Sequence, residues 1–237
     1  MSSLKNHLLT WAAAGAVLLS ALGLRAADEK LIPPQLPKEQ QANLLRFLQS
    51  HEKPDRFLPP DAKLVGTPPP NMDLKAESPP GQPVKQYTVQ ITSHRPVPGQ
   101  EEVKQVDVYY YRPNPERGKP GITVRHTVDV TTGNQVGPTE VLLNQHTPIS
   151  REELAEAVEL AREKSAAAQA LYKGRDPKTV QWEYLQLMVN RKHDPHEPGD
   201  RVVRLVFTAR GGEDQPPSAP VRVIVNLTKG VVTADAE

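Results

Sequence analysis

The run RKHDPHEPGD crowds His193, Asp194, His196, Glu197 and Asp200 into one short stretch. Neutral imidazoles and carboxylates are zinc and copper ligands, so His193, His196 and Asp194 are the candidate metal ligands of this chain. A metal-dependent or redox activity would be built on them. The spacing argues for less. His193 and His196 stand three apart across Pro195, not i, i+4 on a helix where two rings converge on one ion. A solvated turn between two strands is the more economical reading.

Other reactive residue types are scattered. His126 falls on the apolar-facing parity of TVRHTVDV and reads as a hydrogen-bonded sheet histidine, while His146 reads as a connector residue. Tyr109, Tyr110 and Tyr111 place rings on both faces of a strand, one ring in the core and two exposed. Glutamates 152, 153, 156, 159 and 163, with Arg151, Arg162 and Lys164, read as a solvated helix face. Asn226-Leu227-Thr228 spells a glycosylation acceptor at a strand end, where a chance match is the better explanation. The hydrolase elbow, the phosphate loop and the dinucleotide glycine pattern are absent. The sequence therefore points to no catalytic residue and no cofactor.

Composition narrows the class. The chain has 237 residues, 25 of them proline, and no cysteine, so neither a disulfide framework nor a lipoprotein anchor exists. Lys5 precedes an uncharged apolar run from Leu8 to Leu24 that ends among small residues, the layout of an export signal. Residues 1–26 are expected to be a signal peptide and the protein periplasmic or extracellular, with an uncleaved membrane anchor over 8–24 as the alternative. Lys5 and Arg25 lie in that leader; without them, the 29 basic and 28 acidic residues of the whole chain come close to balance. A nucleic-acid partner has no electrostatic footprint here.

The elements follow from periodicity. Residues 27–35 read as an extended arm stiffened by Pro33 and Pro34. In KEQQANLLRFLQS, Leu44, Leu45 and Leu48 line one face of a helix that ends near Ser50, and residues 53–83 read as a proline-rich loop or linker. Three strands with one buried face follow, marked by Tyr87, Val89 and Ile91, by Val106, Val108 and Tyr110, and by Ile122, Val124, Val128 and Val130. The pattern then restarts. Ser150 and Glu153 form a capping box, Ile149 and Leu154 a hydrophobic staple, and the helix runs through Ala166–Ala168 before Gly174 and Pro177 stop it. VQWEYLQLMV, RVVRLVFTAR and VRVIVNLT are the next strands; the first shifts phase between Trp182/Tyr184 and Leu185/Leu187/Val189, which predicts a bulge or cover on both faces.

Each half closes on one phrase, VDVTTG at Val128–Gly133 and VNLTKG at Val225–Gly230. Helix, three strands, then helix, three strands, with a matching close, predicts tandem copies of one unit. The expected class is α+β, each helix laid across a three- to four-stranded antiparallel sheet.

The second half, with HTPISREELAEAVELARE, then DRVVRLVF and VRVIVNLTKGVV, resembles the small cystatin-like domains that precede the catalytic domain in copper amine oxidases. The helix start carries Pro148, Ser150, Glu152, Glu153, Leu154, Ala157 and Val158, and Asp200–Phe207 match the middle strand. The resemblance implies a first cystatin-like unit over 36–143, with the proline-rich insertion, and a second over 144–234. Residues 144–234 carry the better match, and 36–143 fit by element order. The family's catalysis needs a tyrosine in a Thr/Ser-x-x-Asn-Tyr-Asp/Glu motif and copper histidines spaced His-x-His; this chain has no Asn-Tyr pair and no His-x-His. The resemblance thus implies an exported, non-catalytic accessory module, detached from the catalytic domain, that binds through a sheet face or strand edge. Its implied partner is a protein, such as a separately encoded amine oxidase chain. Protease inhibition, which the cystatin likeness also suggests, is disfavoured, because NQVGP at Asn134–Pro138 has the inhibitory letters at the wrong spacing.

Overall fold

A computed structural model describes residues 30–93, 104–143, 145–189, 195–209 and 218–235. The class is α+β: two separate sheets, with helices segregated from the strands. Among the described residues no helix is long and apolar enough to cross a membrane. The expected signal peptide, residues 1–26, lies outside the described residues.

The first helix, α1 (Lys38–Ser50), buries Leu44, Phe47 and Leu48 on one stripe. Its counterpart is a sheet of β1 (Lys63–Val65), β2 (Tyr87–Ser93), β3 (Gln105–Arg112), β4 (Ile122–Asp129), β5 (Asn134–Gln135) and β6 (Glu140–Leu142). The strand order is β1-β6-β4-β3-β2, with β5 on β4. Val106, Val108, Tyr110, Ile122, Val124, Val128 and Val130 all face α1 with exposures of 1% or less. The alternation in β3 and β4 was a true guide because a strand with one covered face repeats every second residue.

Four features depart from the sequence reading. Residues 53–83 are no free linker: Phe57 is buried, Leu58, Ala62, Met72 and Leu74 pack on the same core, and β1 pairs parallel with β6. Arg112 ties the segment down by donating to the carbonyls of Arg56 and Phe57 at 2.9 and 3.0 Å. The sheet consequently has six strands and one parallel pair, where three or four antiparallel strands were expected. Third, a bulge at Val89 shifts the register of β2, so Tyr87 opposes Tyr111 whereas Ile91 opposes Val108. Tyr87 and Ile91 therefore lie on opposite faces, because one extra residue inverts the parity of everything beyond it. The described start of the arm, from Lys30, is short on extended structure: Leu36 closes a turn on Pro33, and Ile32 and Leu36 join the core.

Helix α2 (Arg151–Lys164) begins with the expected capping box: Ser150 Oγ accepts from Glu153 N at 3.1 Å, and Glu153 Oε2 accepts from Ser150 N at 3.0 Å. It stops at Ser165, which has an extended ψ of 114° and caps a separate α3 (Ala166–Tyr172). The single long helix read from the alanine run is therefore two, since a cap serine competes for the backbone donors that helix continuation would use. The second sheet is β10-β9-β8-β7, all antiparallel, from β7 (Val180–Met188), β8 (Arg201–Ala209), β9 (Val221–Asn226) and β10 (Val231–Ala234). Val203, Leu205, Phe207, Val223 and Val225 face α2 and α3 and are almost fully buried.

The two closing phrases do the same job. Each carries a strand into a tight turn and out into the next strand, with the final glycine at positive φ, 74° at Gly133 and 62° at Gly230. Each turn is also held by its own helix. Asn43 of α1 donates to Val130 O and Thr131 O, and Lys164 of α2 donates to Gly230 O at 2.6 Å.

Candidate protein interface

The halves meet through a small set of contacts. Arg201, at the start of β8, donates to both carboxylate oxygens of Glu153 (2.9 and 2.7 Å) and to the carbonyls of Thr147 and Pro148. Its guanidinium carbon lies 4.1 Å over the ring of Tyr111 in the first sheet. Gly118 N donates to Thr228 O at 2.9 Å, and Arg117 Nε donates to Lys229 O at 3.2 Å, so the second closing turn sits on the 113–120 loop. Both findings correct the sequence reading. Glu153 is buried rather than part of a solvated face, and Tyr111 is covered because a cation from the other half stacks on it. No local pattern announces an ion pair between residues that are so far apart in sequence.

Beside these contacts lies a polar cleft of about 310 Å³ bordered by Tyr87, Tyr111, Arg117, Lys119, Glu156 and Arg201. Burial pushes both phenols far above their ordinary pKa, with Glu156 adding to the effect at Tyr87. Each phenol therefore stays protonated at neutral pH and offers a donor, not a base.

Of the residues marked as metal ligands, His193 and Asp194 lie outside the described residues. His196 sits 3.2 Å from the side-chain amide of Asn226, which also donates to Asp200 Oδ2 at 2.7 Å. Asp200 Oδ2 further accepts from Glu197 N, and Lys229 Nζ lies 3.6 Å away. The described part of HDPHEPGD is thus a turn knitted to the β9–β10 turn. Among the described residues no three histidine or carboxylate side chains are grouped to hold a metal ion. Asn226 is fully buried, so its acceptor spelling is closed to modification in the folded chain. His126 is buried with Nδ1 2.8 Å from Gln135 Oε1, within 5.2 Å of the His51 ring. His146 lies half-buried in the connector leading to α2.

The unspent surface is on β7. Its phase shift reflects neither a bulge nor double cover, for β7 pairs with β8 at nine successive positions without slipping. Instead β7 is an edge strand. Helices α2 and α3 lie over β9 and β10, so the side of β7 that should share their core stays open. Trp182, opposite Phe207, is 39% exposed, and Tyr184, opposite Leu205, is 51% exposed; on the other face Leu185 is 55% exposed. Tyr184 borders a groove of about 300 Å³ whose walls include Tyr87, Thr88 and Val89 of β2, Ile149 and Leu31, with Lys30, Glu52, Arg151 and Glu152 adding charge. Since β2 is the edge of the first sheet, both sheets present at this groove a strand that is unpaired on one side among the described residues. Unpaired N–H and C=O groups flanked by apolar side chains accept an extended chain.

The chain matches no protein-family model, and no curated protein matches it.

Proposed function

We propose that the protein is an exported, non-catalytic binding module built of two cystatin-like units, each a helix on a sheet closed by the same turn. On this reading it receives an extended segment of a protein partner in the groove between β2 and β7. The observation that carries it is the placement of the edge strand β2 and the open ring of Tyr184, on the edge strand β7, at one groove. The polar clusters support the same reading, because their groups bond one another: Arg201 with Glu153, and Asp200 with Asn226 and Glu197. The resemblance to the domains that precede copper amine oxidase catalytic domains makes a separately encoded amine oxidase chain the first partner to examine, a step that rests on analogy alone.

Affinity capture from the cell envelope tests this. The full chain should retain a protein at native abundance, and Tyr184→Arg, which places a charge in the groove wall, should lose it while leaving the fold intact by circular dichroism. Recovery of nothing above control, or equal recovery by both chains, would overturn the proposal.

A further inference from the structure

β7 differs from the other long edge. β2 carries a bulge, a usual protection against chance pairing, and polar Thr88, Gln90, Thr92 and Ser93. The segment VQWEYLQLM of β7 has no lysine, proline or glycine, a single charge at Glu183, and an unbroken register. Four of its large side chains, Trp182, Tyr184, Leu185 and Met188, are 39–62% exposed. An edge that nothing among the described residues covers over nine residues, roughly 30 Å at strand rise, is shaped to be covered.

We propose that a second copy of the chain covers it, β7 pairing antiparallel with β7 about a two-fold axis at Leu185. An antiparallel edge alternates outward and inward backbone groups, so self-pairing must centre on a residue and not between two. Centring on Glu183 sets the two carboxylates directly opposite each other, and centring on Tyr184 leaves them diagonal neighbours on one face. Centring on Leu185 separates them. Leu185 then meets Leu185, Trp182 meets Met188 with an aromatic–sulfur contact, Glu183 meets Leu187 and Tyr184 meets Gln186. Charge rules out the Glu183 and Tyr184 centres, and of the two central residues left, Leu185 and Gln186, Leu185 is the one that sets an apolar pair on the two-fold axis; the two four-stranded sheets become one eight-stranded sheet with an isologous junction.

The inference rests on reading β7 as a binding edge but gives that edge to a second copy, so self-pairing and capture of a partner segment compete for it, and the two ideas fail separately. Sedimentation equilibrium of the purified full chain should show a dimer at micromolar concentration, and Leu185→Lys, which opposes two ammonium groups, should yield a folded monomer. Because the chain has no cysteine, Leu185→Cys should give a disulfide-linked dimer on air oxidation, whereas Gln181→Cys should not. A wild-type monomer, or a dimer indifferent to Leu185→Lys, overturns self-pairing. A monomer that still captures an envelope protein through Tyr184 overturns it while leaving the groove reading in place.

Discussion

His126 is a neutral group in a place that resists charge. Burial holds its imidazole down to about 4, with His51 and Arg112 pushing the same way and the Gln135 hydrogen bond opposing them. Above the unfolded value of 6.5 the ring is neutral in both states, and the folded chain loses nothing. As pH falls below that, the unfolded chain takes up a proton that the folded chain refuses. Stability is therefore expected to decline from about pH 6.5 to about pH 4 and then to level off, by ~3 kcal/mol at most at 1.36 kcal/mol per unit. Urea unfolding across that range checks this: His126→Gln should flatten that part of the profile, and an unchanged slope would place the acid sensitivity elsewhere.

At the scale of elements, α2 has a complete capping box and also depends on a distant residue. Glu153 closes the capping box and receives Arg201, with side-chain exposures of 4% and 6% for the pair. Removing one partner strands the other's charge in a dry site, so Glu153→Ala is expected to cost ~3–5 kcal/mol in chemical denaturation. Replacing both, Glu153→Leu with Arg201→Met, should recover much of that loss, because the buried charge leaves with its partner. A double variant no more stable than Glu153→Ala would show that the pair fixes geometry rather than merely cancelling charge.

At the scale of the molecule, the second closing turn also serves as the joint. Gly230 holds φ at 62°, and a Cβ there would meet Arg117 Nη2, the far end of a side chain that can swing away. Gly230→Ala should thus cost about 1–2 kcal/mol, chiefly from the left-handed backbone. It should also dislodge Arg117 from the Lys229 carbonyl. If so, Gly230→Ala and Arg117→Ala combined will destabilise by less than the sum of the two; simple additivity would mean the joint does not depend on that seat.

What the sequence could show was whatever repeats locally. The period-two alternation of β3, β4, β8 and β9, the Ser150–Glu153 cap, and the matched VDVTTG and VNLTKG turns were legible because each depends on neighbours along the chain. The bulge at Val89 was not, nor was the parallel β1–β6 pair, since three residues of strand carry no period. The same limit hid Glu153–Arg201 and the Arg201–Tyr111 stack, which exist only once the halves are brought together. The composition of β7 could be read directly, but its apolar residues look alike whether they are buried or bare. Where α2 and α3 come to rest, over β9 and β10, is a matter of packing between distant surfaces. That placement leaves β7 open to a partner.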